Sequence, residues 1–393
     1  LPYYRRAVEL DPGFAAALAA LGVAYINLGQ PTVAGGYLEQ AFTLRGRVSA
    51  RERLRITAYY HQAVTGDLEQ ANESYELWTQ AYPREFAAYL NLGLGHLWIG
   101  QYERALAETR RALEIEPGNV LAYTNLAAIS LKLGRRDEAR RALDQARERG
   151  LSSKFLRSNL CYLAFLEGDA TAPASQLADA ELAPGDRDAL LSLAADSEAY
   201  FGRLKAARAL SRQAVEAATQ AGAKEAGAFW LVNAALREAE FGNVAEALSA
   251  VAEAMRLAPG RDVAALAALA RARAGDTEGA RSLVAELETQ NARNTVIRMY
   301  WSPAIRAAIE LRARQPSRAL DLLHPVAPYD LASPPPIGPA TLYPVYLRGE
   351  ALLAAGRGAD AAAEFQRILD RPGLLLNHPL HVLARRHLAR AKA

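Results

Sequence analysis

Four asparagines recur at one register of this chain. Asn91, Asn125 and Asn159 are spaced 34 residues apart, and Asn233 falls at the equivalent place in a later stretch. A primary amide both donates and accepts hydrogen bonds. A row of them along one wall could therefore bond the main chain of an extended peptide at regular intervals. Trp98, Phe155, Tyr162 and Phe165 stand at neighbouring positions of the same stretches and would supply apolar anchors beside the row. That chemistry is recognition. The plainer alternative is that these amides satisfy hydrogen bonds between the chain's own helices.

Other chemistries leave little trace. The sequence contains no His-Glu-x-x-His, no phosphate-cradling glycine loop ending in Lys-Ser/Thr and no paired-cysteine zinc spacing. Gly93-x-Gly95 lies inside a predicted helix with no strand before it, so it is not a dinucleotide fingerprint. Cys161 is the sole cysteine, which excludes an internal disulfide, and its small-residue position predicts a buried, inert thiol. His378, His381 and His387 gather near the C-terminus without an acidic or cysteine partner beside them, and read as surface or capping histidines. No cofactor, metal or enzymatic activity is implied. Arg45, Arg47, Arg51, Arg53 and Arg55 form the strongest basic run. It reads first as a solvated linker around Glu52, and second as a docking point for an anionic partner such as nucleic acid.

The elements that would carry these residues follow from a repeat. Units begin at Ala15, Glu52, Phe86, Val120, Lys154, Asp188, Ala228, Arg261, Tyr300 and Leu342. A period in the range of roughly 20–50 residues marks one supersecondary unit stacked on itself. The eighth position is small (Gly22, Gly93, Ala127, Cys161, Ala195), and so is the twentieth (Ala34, Ala71, Ala105, Ala139, Ala207). Apolar residues spaced three and four apart give amphipathic helices, and small residues among large ones let such helices interlock closely. Gly29, Gly66, Gly100, Gly134 and Gly168 end the first helix of each unit, and Pro12, Pro83, Pro117 and Pro259 close the second. Composition fits: 51% of the 393 residues are hydrophobic, 23% are charged, and a net charge of +3 demands neither nucleic acid nor an anionic membrane. The uncharged stretch from Gly13 to Leu38 is cut by Gly29-Gln30-Pro31, so it reads as two helices and not as a membrane span.

With Ala88-Tyr89-Leu90-Asn91-Leu92-Gly93, then Ala105, Ala112 and Pro117, the unit resembles the tetratricopeptide repeat. That resemblance implies an all-α, right-handed superhelical solenoid of about ten antiparallel helix pairs whose concave face binds a protein or peptide. Relatives of other kinds use asparagines at this position on ligand backbones. The lysine-and-asparagine clamp of chaperone-tail binders is absent, since Ala19, Val23, Ile56 and Tyr60 stand at its places. The expected groove centres on Asn91, Asn125, Asn159, Trp98, Phe155 and Tyr162, with Asn233 beyond it.

The resemblance divides the chain into 1–14, a truncated second helix; units over 15–187, 188–299 and 300–381; and 382–393, a truncated first helix. Pro173 predicts a short second helix in its unit. The largest insert, a proline-rich inter-repeat loop at 324–344, is expected to be extended and stiff. Residue 1 is not methionine and neither end carries a polar capping helix, so a section of a longer polypeptide is expected. The stretches Phe42–Arg53, Thr65–Glu69 and Tyr75–Pro83 are similar to tetratricopeptide regions C-terminal to bacterial eukaryotic-like serine/threonine kinases and winged-helix regulators, especially in acidobacteria. That similarity implies a sensory or scaffolding half joined to an effector domain outside this chain. It places the array in the cytoplasm, or beyond a membrane if a span is attached elsewhere.

Overall fold

The computed structural model describes residues 1–169, 171–179, 186–334 and 341–393, and all regular structure among them is helical. After α1 (Pro2–Leu10) come pairs: α2 (Ala15–Asn27) with α3 (Pro31–Thr43), α4 (Ala50–Tyr59) with α5 (Leu68–Ala81), and α6 (Phe86–Trp98) with α7 (Tyr102–Ile115). Next are α8 (Val120–Lys132) with α9 (Arg136–Glu148), α10 (Lys154–Leu166) with α11 (Ala172–Leu177), and α12 (Arg187–Tyr200) with α13 (Leu204–Gln220). The run continues through α14 (Lys224–Glu240), α15 (Val244–Leu257), α16 (Arg261–Ala274), α17 (Thr277–Gln290), α18 (Ser302–Arg312), α19 (Pro316–Leu323), α20 (Tyr343–Ala354) and α21 (Gly358–Leu369). One turn, α22 (Pro372–Leu375), leads into α23 (Leu380–Lys392). Two π-helical stretches, Tyr60–Thr65 and Ile297–Trp301, extend α4 and precede α18.

Local chemistry accounts for the boundaries. Ser49 and Glu52 form a reciprocal capping box on α4, and the Asp67, Ser153 and Asp276 side chains accept from the first turns of α5, α10 and α17. The turn glycines between paired helices take left-handed φ, from 66° at Gly66 to 97° at Gly275. Inside a pair, a Cβ at Gly93 would lie 2.9 Å from Thr109 Oγ1 and 3.1 Å from the Ala105 carbonyl oxygen. The eighth position is small because the second helix of the pair leans on it. Gly29, with φ 71°, separates α2 from α3, and no helix among the described residues is long and apolar enough to cross a membrane.

The later units lie against the earlier ones, so two superhelical turns meet along a seam. Thr295 N donates to the Gly66 carbonyl (3.0 Å), and the Leu68 N–H donates to Thr295 Oγ1 (3.1 Å). Ser333 N donates to the Trp98 carbonyl (3.1 Å), the Tyr102 hydroxyl donates to the Leu331 carbonyl, and Thr32 bonds Glu225. At Gly373 a Cβ would come within 1.9 Å of the Leu131 carbonyl oxygen, so only glycine permits that approach. Ala265, Leu266, Ala267, Ala268, Leu269 and Ala270 of α16 are each at most 2% exposed. A helix apolar all round belongs inside a body of protein.

The proline-rich insert also differs from expectation over its described part. Ala327–Tyr329 is a 3-10 turn, and Leu331 and Ser333 serve as seam contacts. Residues 335–340, with Pro335, Pro336 and Pro339, lie outside the described residues. The short α11 matches the effect of Pro173.

Candidate ligand groove on the inner wall

The first helices α6, α8, α10 and α12 pack in succession, and the row they form is the wall read as the candidate groove. Phe155 and Tyr162 are seven residues apart, two helical turns, so they share one face of α10. Phe155 is 45% exposed, with the Lys154 ammonium 5.4 Å from its ring centroid. Tyr162 is half-buried, and burial pushes its hydroxyl pKa up. On α8, Asn125 is half-buried and its side chain makes no hydrogen bond among the described residues. Lys132, near the C-terminal end of the same helix, has no ion pair among them either, and burial pushes its ammonium down to about 8.

The asparagine row divides. Asn159 is 6% exposed and donates to the Thr124 carbonyl of α8 (2.9 Å). Asn233 is 2% exposed and donates to Asp196 (3.1 Å). These two amides serve the helix–helix contact, which corrects their placement as free groove donors: each faces a neighbouring first helix that offers an acceptor. Asn91 donates to the Ala87 carbonyl of its own helix (2.8 Å). Asn125 alone of the four keeps its amide uncommitted. Trp98 also moves out of the expected groove. It packs at the seam beside Gly66, Asn294, Ile297 and Trp301, around a void of about 10 Å³, too small for a ligand.

The lower part of the wall is occupied by the chain itself. The turn from Pro372 to His381 runs from the end of α8, where Gly373 meets Leu131, across to α12. There Asn377 Nδ2 donates to the Leu193 carbonyl (2.7 Å) and to Ser197 Oγ (2.9 Å). His378 and His381 are 4% and 9% exposed, not surface histidines as their sequence context suggested. Beneath them Arg237 pairs with Asp196 (2.6 Å) and donates to Ser211 Oγ (2.6 Å). Farther along, Arg273 bridges Glu240 and Glu350. No sequence signal marked Asn377, Arg237 or Arg273, since single polar residues in helical stretches look alike whether they face water or a neighbour. Groups of His, Cys, Asp and Glu able to hold a metal are absent among the described residues.

The five arginines do not form one patch of free charge. Arg45 donates to the Phe42 carbonyl and lies 3.7 Å over the Phe42 ring, which itself stacks on Tyr60. Arg51 pairs with Glu85, and Arg55 is half-buried with its Nε unpaired. Arg47 and Arg53 are exposed.

The geometry defines a superhelical array of helix pairs with a partly filled inner wall. Residues 99–153, which contain α7, α8 and α9, match the family model of the tetratricopeptide repeat. The other helix pairs repeat the two-helix arrangement of that matched segment with varied lengths. No curated protein matches the chain. Among solved structures it is similar to MamA, at 23% identity over 37% of this chain and 84% of that one, with a TM-score of 0.28. A tetratricopeptide repeat protein from Parabacteroides merdae ATCC 43184 aligns at 15% identity over 87% of this chain and 99% of that one, with a TM-score of 0.30. The APC/C hetero-tetramer Cut9-Hcn1 aligns at 13% identity over 96% of this chain and 76% of that one, with a TM-score of 0.42.

Proposed function

We infer that this array is a protein-interaction scaffold, and that its ligand is a peptide or protein segment held on the open, N-terminal part of the inner wall of α8 and α10. Tetratricopeptide arrays generally mediate protein–protein contacts. The observation that carries the reading is a free amide at Asn125 and a 45%-exposed aromatic ring at Phe155 on the neighbouring helices α8 and α10. An amide gives main-chain donors and acceptors a partner, and an exposed aromatic ring is the side chain that most often anchors an interface. The array is further read as the sensory or scaffolding part of a larger bacterial regulatory protein in the cytoplasm.

The test starts from binders selected from a random dodecapeptide library against the whole chain. Phe155→Ala is expected to weaken them by at least tenfold, as loss of about 2 kcal/mol at an anchor implies. Asn125→Ala is expected to weaken them about fivefold, for one hydrogen bond of about 1 kcal/mol. Peptides that bind equally well to both variants would refute the assignment. The anionic-partner reading now rests on Arg47 and Arg53, and predicts salt-sensitive nucleic-acid binding lost on replacing both.

A further inference from the structure

The turn joining α21 to α23 lies across the end of α8 and the C-terminal half of α12, and two histidines are sunk in that contact. His378 Nδ1 accepts from the Leu380 N–H at 3.2 Å, which requires that nitrogen to be unprotonated. Across the contact His378 faces Asp196 of α12 and Arg237 of α14, which are already paired with each other. The Tyr343 ring of α20 is 6.5 Å away. His381 stacks on Tyr200 of α12 at 5.9 Å, with its Nδ1 3.3 Å from the Tyr200 hydroxyl, and the charge beside it is Arg385 of its own helix. His387, farther along α23, lies 3.7 Å from Glu350 of α20 and against Phe365 of α21, with Arg273 of α16 and Arg386 and Arg390 of its own helix nearby.

We propose that Pro372–His381 is a proton-sensitive clasp on the groove: shut while His378 is neutral, and loosened by acid so that the lower wall of α8 and α12 is uncovered. The proposal rests on reading that wall as the ligand groove. A proton on Nδ1 removes the acceptor that the Leu380 N–H uses, and adds positive charge where Asp196 is already neutralised by Arg237. Burial holds His378 down to about 4, with Arg237 acting in the same direction and Asp196 against it. Burial and Arg385 lower His381 as well. A group held at about 4 when clasped and at its ordinary 6.5 when free shifts the equilibrium toward release by roughly 30-fold at pH 5 and hardly at all at pH 7.5. Burial lowers His387 too, against the pull of Glu350, but it packs on α20 and α21 and not on the turn, so its titration acts behind the clasp.

Amide hydrogen exchange of the whole chain tests this without any ligand. His378→Asn keeps an acceptor near the Nδ1 position and cannot take the charge. Compared at the same pH, the two chains are expected to exchange residues 372–384 alike at pH 7.5, with the wild type roughly 30-fold faster at pH 5. A second readout needs no variant. In the wild type, after correction for intrinsic rates, 372–384 should lose protection at pH 5 while 343–369 retains it. Equal exchange in both chains at pH 5, or loss of protection spread evenly over the molecule, would overturn the clasp. Peptide affinity at pH 7.5 judges the groove separately, because the clasp assay contains no peptide.

Discussion

Arg273→Met tests whether the later units are locked by charge. Arg273 donates to Glu240 through Nε (2.7 Å) and NH2 (2.8 Å), and to Glu350 through NH1 (2.5 Å) and NH2 (3.0 Å). The three side chains are 16%, 3% and 17% exposed. One guanidinium thus holds two carboxylates out of water. Methionine matches its length but leaves both without a cation. Breaking a buried pair from one side costs about 3–5 kcal/mol, chiefly the penalty of the stranded charge. Burial already pushes Glu240 above the ordinary carboxyl range, against the pull of Arg273, and the variant removes that pull. A carboxyl whose folded pKa lies above its unfolded value subtracts stability in full above the folded pKa. That penalty fades as pH falls toward the unfolded value. The deficit of Arg273→Met is therefore expected to be largest near pH 8 and smaller near pH 5. Urea unfolding followed by the fluorescence of Trp230 and Trp301, both in this half, measures it. A deficit below about 1 kcal/mol at pH 8, or one that grows on acidification, would show that the trio is not the lock described.

Four further outcomes follow from named contacts. Asn159→Ala is expected to cost about 1 kcal/mol through loss of the bond to the Thr124 carbonyl, whereas Asn125→Ala leaves unfolding unchanged; equal losses would erase the distinction between their amides. Gly93→Val places a side chain against Thr109 and Ala105 and should cost about 1–3 kcal/mol in urea, while Gly118→Ala, with open space around it, stays within about 0.5 kcal/mol. The Cys161 thiol is buried and pushed up to about 12, so a disulfide reagent at pH 8 should fail to label the native chain and label it once in concentrated guanidinium. Arg47→Ala with Arg53→Ala should leave stability within about 0.5 kcal/mol, as urea unfolding checks, because both side chains stand in water.

Each unit was legible because its rules are local. The small residue at Gly93 answers Thr109 and Ala105 only a few turns away, and Gly100 reverses the chain between the two helices it separates. Starts such as Phe86, Val120 and Lys154 agree with the observed helices, while α14 begins at Lys224, four residues before Ala228. The seam was not legible. Thr295 and Leu68 are 227 residues apart, Leu331 and Tyr102 229, and nothing in the type of either partner announces the other. The site was half legible for the same reason. Asn125 and Asn159 are indistinguishable by position, and their fates differ because the Thr124 carbonyl lies within reach of Asn159 alone. Phe155 stands about half-exposed, and Trp98 is packed against a surface far along the chain.

A solenoid ordinarily accepts duplication or loss of a module, since each one touches only those beside it. Here the approach of Gly373 to Leu131 and the bond from Thr295 to Gly66 tie distant modules in fixed phase. Excising the 34 residues from Val120 to Ser153 would slide every later module by one place against its opposite number. The Gly373 contact would lose Leu131 altogether, and the Thr295 N–H and the Gly66 carbonyl would fall out of register. The number of modules is therefore as constrained as any single side chain, and growth of such an array is tolerated only beyond the point where the two coils touch.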